Sequence, residues 1–151
     1  NGNFAEKGKT DKFIFDQYLE NYYYSKVNSK ISLDTNDFDI SFAKGLSLKN
    51  GTTTITDLTS ELLSKKIGIN DIYICGGGRK NKYLINSLKK KINNKLHLID
   101  DLNIDGDYIE SQAFAFLAIR SYLGLPNSFP STTNCKEPTI GGNIIKNSWL
   151  V

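Results

Sequence analysis

The feature that most constrains this chain is a short apolar run that leads into three glycines, within residues 71–81 (DIYICGGGRKN). A β-branched and aromatic run of this length, bounded by glycine, is typical of a buried strand. Three glycines allow a sharp turn and a close approach of the backbone to a flat or anionic group, because no Cβ is present. A helical pattern follows over residues 80–92, and its free N–H groups suit phosphate or ribose. The stretch therefore predicts either a ligand-binding strand–turn–helix or a bare turn between two elements.

The strand and the helix extend into a larger unit. A second apolar run at residues 95–100 (KLHLID) predicts a parallel partner strand, and so a β-α-β unit over residues 71–100. A chain of 151 residues is long enough for a domain with its own core. Because neither a linker nor an internal repeat interrupts it, we predict a single α/β domain over residues 1–151. The absence of any methionine, even at position 1, further indicates a piece of a longer polypeptide.

Composition excludes several classes of protein. The net charge of +3 is too small to predict nucleic-acid binding, and no apolar run has the roughly 18–20 residues that a membrane span requires. Cys75 and Cys135 fit no disulfide framework, so we predict free thiols and a cytoplasmic protein. His97 is the single histidine and has no second ligand beside it in the sequence, so no metal site is predicted.

Three further helices are predicted from apolar spacing and capping residues. They cover residues 12–24, 56–66 and 108–123, and breaks are expected at Gly45 and at Asn50-Gly51 before the second of them. A loop leading to a short helix is expected over residues 30–44, and a short edge strand over residues 139–145. The helix at residues 108–123 is apolar almost all round, which predicts burial in the domain centre.

A carboxylate stands at the head of that apolar helix. Asp107 and Glu110 have the spacing of a capping box, in which Asp107 is the N-cap and Glu110 reaches back to the Asp107 N–H. Glu110 equally fits a functional role, because a charged side chain at the head of a buried helix indicates a group that faces a cleft. The residues themselves leave both interpretations of Glu110 open.

One function compatible with the glycine turn is dinucleotide binding. Gly76 and Gly77 occupy two glycine positions of that fingerprint, but Asn81 replaces the third. Asp100 and Asp101 stand near the position of the expected ribose-binding acid. The match is incomplete, and the turn lies behind two predicted helices, whereas a fingerprint strand usually opens its domain. A P-loop is excluded, because no Gly-Lys-Ser or Gly-Lys-Thr follows the turn.

A more extensive resemblance involves several motifs in order. The glycine turn continues as ICGGGRKNKYLINSL, and IDDLNIDGDYIESQAFAFLAIRSYLGLPNSFPSTT and TIGGNI come after it. This series resembles the carboxy-terminal half of anhydro-N-acetylmuramic acid kinases, which have a C-G-G-G-x-x-N-x-x-L turn, a G-x-D-x-x-E-A-x-x-F-A-x-L-A helix and an L-P-x-x-x-P-x-x-T loop. Upstream, KISLDTNDF and GTTTITDLT also resemble segments of that family, so the likeness covers nearly the whole chain.

The resemblance implies a fold and an activity. The fold would be the carboxy-terminal lobe of an actin-like (ribonuclease H-like) ATPase or kinase. The activity would be the opening and phosphorylation of 1,6-anhydro-N-acetylmuramic acid with ATP and Mg²⁺, giving N-acetylmuramic acid 6-phosphate in cell-wall recycling. The residues expected at the adenosine and ribose are Gly76, Gly77, Gly78 and Asn81, and Glu110 would face the sugar.

Other parts of such an enzyme are expected outside this chain. The family's catalytic aspartate and phosphate-binding loop lie in its other, amino-terminal part, so the resemblance implies no catalytic residue here and a fragment that is inactive alone. Its expected partners are the anhydro sugar, the missing amino-terminal lobe and a second copy in a homodimer, with neither nucleic acid nor membrane. A different actin-fold sugar kinase and a Rossmann-type dinucleotide-binding domain are the alternatives.

Overall fold

The computed structural model describes residues 1–26, 38–68 and 70–145. The chain divides into two compact units; within the described residues the first ends at Asp107 and the second begins at Tyr108. Residues 30–37 of the loop predicted over residues 30–44 lie outside the described residues. Of that prediction, the described residues contain the short 3₁₀ helix Ser41–Gly45.

Helices dominate the described part of the chain. The α-helices are α1 (Lys12–Lys26), α2 (Leu48–Lys66), α3 (Lys82–Lys89), α4 (Ile109–Tyr122) and α5 (Pro130–Thr133), and the strands are β1 (Ile72–Ile74) and β2 (Leu96–Leu98). Short 3₁₀ helices occur at Ala5–Lys7, Ser41–Gly45, Gly77–Lys80 and Ile99–Leu102. None of the helices in the described ranges combines the length and the hydropathy that crossing a membrane requires.

The two strands form a small parallel sheet in the first unit. β1 pairs with β2 in the register Ile72↔Leu96, Tyr73↔His97 and Ile74↔Leu98. Parallel neighbours need a crossover connection, and α3 lies in that connection. The β-α-β unit predicted over residues 71–100 is therefore confirmed, and the chain has mixed α/β content. The His97 ring stacks on Tyr73 with 5.2 Å between ring centroids, so this histidine packs within the sheet.

The second helix begins at Leu48, well before its predicted start at residue 56. The expected break at Asn50-Gly51 is wrong, because Ser47 caps a helix that runs through it. The Ser47 Oγ accepts a hydrogen bond from the Asn50 N–H at 3.3 Å. The threonines that follow donate their hydroxyl groups to carbonyls one turn earlier, as Thr54 does to the Asn50 carbonyl at 2.8 Å. The threonine run at residues 52–54 is thus part of α2.

The core of the first unit lies where α2 meets α3 and the 3₁₀ turn near the start of the chain. Its buried apolar side chains are Ala5, Leu58, Ile85 and Leu88. Thr53 is buried as well, and its hydroxyl donates to the Ala5 carbonyl at 2.7 Å. This hydrogen bond ties the first residues of the chain to α2.

A hydrogen-bonded carboxylate joins α2 to α3. Asp57 accepts hydrogen bonds from the hydroxyl groups of Tyr83 at 3.2 Å and Ser87 at 2.8 Å, and also from Thr10. Ser87 and Ser60 share a further hydrogen bond at 2.8 Å. Partial burial, and then the negative charge of Asp57, raises the pKa of the Tyr83 phenol. Because α3 follows the glycine turn directly, this network fixes the helix on which the turn depends.

The helix expected in the domain centre is exposed instead. α4 has no buried residue, and Phe114, Phe116 and Tyr122 are 65%, 59% and 74% exposed. The prediction of burial is wrong for the described chain, because a helix that is apolar all round needs a covering surface that these residues do not supply. α4 ends where expected, since Gly124 adopts a left-handed conformation (φ 66°) just after it.

The segment after α4 also differs from expectation. In the described structure residues 139–145 form no strand, and Thr139 makes only an isolated antiparallel bridge with Ser128. The Asn127 side chain holds the segment instead: its Nδ2 donates to the Gly141 carbonyl at 3.0 Å, and its Oδ1 accepts from the Gly141 N–H at 2.7 Å. A side chain therefore replaces the backbone ladder that an edge strand would have used.

Candidate functional site

The glycine turn joins β1 to α3 through an unusual backbone conformation. Gly76 has φ 73° and ψ −177°, a region that costs a residue with a side chain about 1–3 kcal/mol. The 3₁₀ helix Gly77–Lys80 follows, and α3 begins only at Lys82. The helix predicted over residues 80–92 is therefore shorter than expected, and the 3₁₀ helix that contains Gly77 and Gly78 precedes it.

Backbone hydrogen bonds hold one side of the turn. The Gly76 N–H donates to the Gly106 carbonyl at 2.9 Å, which attaches the turn to the loop that precedes α4. Within the turn, the Arg79 N–H donates to the Gly76 carbonyl at 3.3 Å and the Asn81 N–H donates to the Gly78 carbonyl at 3.0 Å. The turn is thus anchored through its peptide groups.

The other side of the turn is open. A Cβ added at Gly76 or Gly77 would have no neighbouring atom within 4 Å, and one added at Gly78 would lie 4.0 Å from Leu84 Cδ2. Glycine is therefore not needed here to make room for the protein's own atoms. An uncovered run of peptide groups can accept a flat or anionic ligand in close contact.

Asn81 is the N-cap of α3 rather than a residue of its first turn. Its side-chain Oδ1 accepts a hydrogen bond from the Leu84 N–H at 3.1 Å. With its backbone N–H bonded to Gly78, Asn81 links the end of the glycine turn to the start of the helix. A role in holding the ribose stays a prediction, and the capping role is observed.

We expect Asn81→Ala to lower the free energy of unfolding by about 0.5–2 kcal/mol, because it removes the oxygen that caps α3. Asn81→Asp keeps such an oxygen and is the matched control, with a stability within about 0.5 kcal/mol of the wild type. Urea unfolding of the full-length protein measures both variants. Equal stability of Asn81→Ala and the wild type would contradict the capping role.

Arg79 is the most connected side chain beside the turn. Its Nε and Nη2 donate to the two oxygens of Asp100 at 2.8 and 3.1 Å, and its Nη1 donates to Asp107 at 2.6 Å and to the Gly76 carbonyl at 3.0 Å. Asp105 lies 3.8 Å from Nη2. Only 7% of the Arg79 side chain is exposed. Hydrogen bonds from Arg79 lower the pKa of Asp100, and those to Asp100 and Asp107 raise the pKa of Arg79.

Asp107 is held by two cations. Besides its bond from Arg79, it accepts a hydrogen bond from the Lys80 Nζ at 2.5 Å. The hydrogen bond from Arg79, and then that from Lys80, lower the pKa of the Asp107 carboxyl to about 2. Asp107 is therefore ionised at any physiological pH and belongs to the ion-pair cluster beside the glycine turn.

The two acids considered for a dinucleotide ribose have other partners. Both oxygens of Asp100 are bound by Arg79. The Oδ2 of Asp101 accepts a hydrogen bond from the Leu98 N–H at 3.1 Å. Since both carboxylates serve the protein's own structure, the geometry gives no support to the dinucleotide alternative.

Glu110 lies in the second unit, in the first turn of α4, where its side chain is exposed. The predicted capping box is wrong, because the N-cap of α4 is Tyr108, which makes no side-chain capping bond. The Asp107 carboxylate is bound instead to Arg79 and Lys80. The Glu110 carboxylate forms neither a hydrogen bond nor an ion pair with any described residue. The structure thus removes the capping explanation, and the sugar-facing role stays a prediction.

The predicted site residues lie in both units. Gly76, Gly77, Gly78 and Asn81 lie within one six-residue stretch of the first unit, and Glu110 belongs to the second. Arg79 is a residue of this region that no motif identified, although the arginine follows the glycines directly and the acid-rich stretch IDDLNIDGD comes after it. Within the described ranges, no group of three or more His, Cys, Asp or Glu side chains is arranged to hold a metal ion.

Comparison with known proteins gives a consistent family. A family model described as anhydro-N-acetylmuramic acid kinase matches residues 1–147. A protein of that name from Pelagibacter ubique is 44% identical over 158 aligned residues, which cover 97% of this chain and 42% of that protein. Proteins of the same name from Brucella anthropi and Zymomonas mobilis are 36% and 32% identical, and each alignment covers 95% of this chain and 40% of the relative. The chain thus spans about two-fifths of the length of these relatives.

Proposed function

Because this chain belongs to the anhydro-N-acetylmuramic acid kinase family, we propose that the protein containing it is an ATP-dependent kinase of 1,6-anhydro-N-acetylmuramic acid. The observation that carries the proposal is the family match over residues 1–147, a range that includes the glycine turn and Glu110. The product is N-acetylmuramic acid 6-phosphate, and the reaction returns cell-wall sugar to metabolism. A cytoplasmic location is part of the proposal, since ATP is supplied there.

The proposed reaction joins hydrolysis to phosphoryl transfer. A water oxygen bonds to C1 of the sugar while the C1–O6 bond of the anhydro bridge breaks, and a carboxylate base accepts one proton from that water. The freed O6 takes the γ-phosphoryl group of ATP, and ADP leaves. The base, an aspartate, and the phosphate-binding loop are placed outside this chain, because the family resemblance locates both in the other part of the enzyme.

The contribution of this chain is to position both substrates. The uncovered peptide groups of Gly76, Gly77 and Gly78 form a wall for the adenosine, and Asn81 closes that wall at the start of α3. Glu110 contacts the sugar, which is consistent with an exposed carboxylate that has no partner among the described residues. Phosphoryl transfer depends chiefly on such positioning and on charge neutralisation, which Mg²⁺ bound to ATP supplies. No residue of this chain is assigned to the metal.

The exposed helix α4 supports a larger assembly. Its apolar side chains, among them Phe114 and Phe116, would be costly to leave in water, and a patch of this kind normally contacts another surface. In this proposal the chain is the carboxy-terminal lobe of an actin-like kinase, and the amino-terminal lobe covers α4. The chain alone is then inactive, and a homodimer of the whole protein is a further part of the proposal.

The test is turnover by the full-length protein. With MgATP and 1,6-anhydro-N-acetylmuramic acid, we expect release of ADP in a coupled assay and a sugar 6-phosphate identified by mass spectrometry. Glucose and glycerol serve as control substrates and should give no turnover above background. Turnover of either control, with none of the anhydro sugar, would replace the proposal with a different actin-fold sugar kinase.

A further inference from the structure

The glycine turn needs an external constraint to keep one conformation. Its three consecutive glycines carry no side chains to pack, and glycine loses more backbone freedom on ordering than any other residue. A turn that is ordered only on binding subtracts the cost of its ordering from the affinity. Hydrogen bonds that fix its peptide groups beforehand remove that cost.

Arg79 provides such a constraint. Its Nη1 donates both to the Gly76 carbonyl and to Asp107, and Asp100 holds the opposite edge of the guanidinium through two hydrogen bonds. Paired bonds of this kind fix the orientation of the planar group as well as its position. The nearly buried guanidinium is thus clamped between the turn and the loop that follows β2.

Gly106 completes the arrangement. A Cβ at this position would lie 2.5 Å from Arg79 Nε and 2.9 Å from Ile99 Cγ2, so no side chain fits without moving the guanidinium. The carbonyl of the same residue accepts the Gly76 N–H at 2.9 Å. Arg79 and Gly106 together therefore hold the peptide groups on both sides of Gly76.

The charges around Arg79 disfavour a role as a phosphate ligand. Three carboxylates, Asp100, Asp105 and Asp107, surround Arg79 and Lys80, so the cluster carries more negative than positive charge. Four donor contacts of the guanidinium are already used within the protein. We infer that Arg79 is a positioning residue that presets the glycine turn for the adenosine moiety, an inference that rests on the proposed function.

Two variants and two ligands test this role in the full-length protein. Arg79→Lys keeps the charge but loses the planar fork, and Gly106→Ala displaces the guanidinium without changing any charge. Calorimetry with adenosine and with ADP should show both dissociation constants raised by about tenfold in each variant, because both ligands contact the same misplaced turn. Lys91→Gln removes another ion pair of the first unit, that with Glu61 at 2.7 Å, and should leave both constants unchanged.

The comparison of the two ligands decides the outcome. Weaker ADP binding with unchanged adenosine binding would make Arg79 a phosphate ligand and overturn the inference. Lower melting temperatures with unchanged binding of both ligands would leave Arg79 a purely structural residue and overturn it too. If the wild-type protein binds neither adenosine nor ADP, both the proposed adenosine site and the positioning role of Arg79 are wrong. If the wild-type protein binds both ligands and the variants bind them equally well, only the positioning role of Arg79 is wrong.

Discussion

Full-length Glu110→Gln protein is expected to retain its thermal stability and to lose about thirty- to a thousandfold in kcat. The change preserves the size of the side chain but removes its charge. A charge-assisted hydrogen bond made in the transition state contributes about 2–4 kcal/mol, which corresponds to that loss of rate. In the structure the Glu110 side chain is exposed and has no partner among the described residues. The substitution should therefore leave the free energy of unfolding nearly unchanged.

Steady-state kinetics with MgATP and the anhydro sugar, together with a melting curve, measure this prediction. Glu137→Gln is the matched control, since it removes one exposed carboxylate from the same unit and should leave kcat within about twofold of the wild type. An unchanged kcat in Glu110→Gln would remove Glu110 from the sugar site. Its remaining role would be a favourable charge at the head of α4, worth about 0.3–1 kcal/mol.

Two alanine substitutions in the glycine turn should separate an effect on folding from an effect on ATP binding. Gly76→Ala should lower the free energy of unfolding by about 1–3 kcal/mol, because Gly76 has a positive φ in a region that is nearly restricted to glycine. Gly77→Ala should leave stability nearly unchanged, since Gly77 lacks such a φ and its Cβ would enter open space. If adenosine occupies that space, the added methyl group should raise the KM for ATP by about tenfold.

Denaturant unfolding and ATP titrations of the full-length protein separate these effects. Gly68→Ala is the control, because it also adds a methyl group in open space in the first unit, away from the turn in the sequence. It should change neither stability nor the KM for ATP. If Gly77→Ala left the KM for ATP unchanged, the open side of the turn would not be the adenosine wall.

The local parts of the fold were predictable because they depend on neighbouring residues. An apolar β-branched run, followed by glycines and then by an amphipathic helix, predicted the β-α-β unit over residues 71–100. The parallel pairing of β1 and β2 confirms this prediction. The start of α2 was missed for the opposite reason. Asn50-Gly51 is usually found in turns, but the Ser47 cap and the packing of the first residues of the chain against α2 override that preference.

The role of Asp107 was not predictable from spacing. Glu110 lies three positions after Asp107, and that spacing alone indicated a capping box. The side chain is instead bound by Arg79, which lies 28 residues away in the sequence. Ion pairs at such separations depend on how β1, β2 and their loops come together, and no periodicity in the sequence records that. The ion pairs of Arg79 were not predictable from the sequence for the same reason.

The described residues do not bury α4. Its composition predicts a helix that requires cover, but composition does not say which segment would provide it. In the described residues Phe114 and Ile119 remain 65% and 58% exposed. The composition of α4 therefore predicts a covering surface, and the described residues do not supply one.

The exposure of α4 has a consequence for the order in which the two lobes of the proposed kinase are synthesised. Domains generally fold as they leave the ribosome, with the amino-terminal part first. If the amino-terminal lobe covers α4, as proposed, the ribosome releases α4 only after its covering surface has been made and folded. The reverse gene order would leave the exposed phenylalanines of α4 in the cytosol during translation, open to chaperones and to aggregation. In the proposed order of synthesis, α4 can therefore pack against its covering surface soon after it leaves the ribosome.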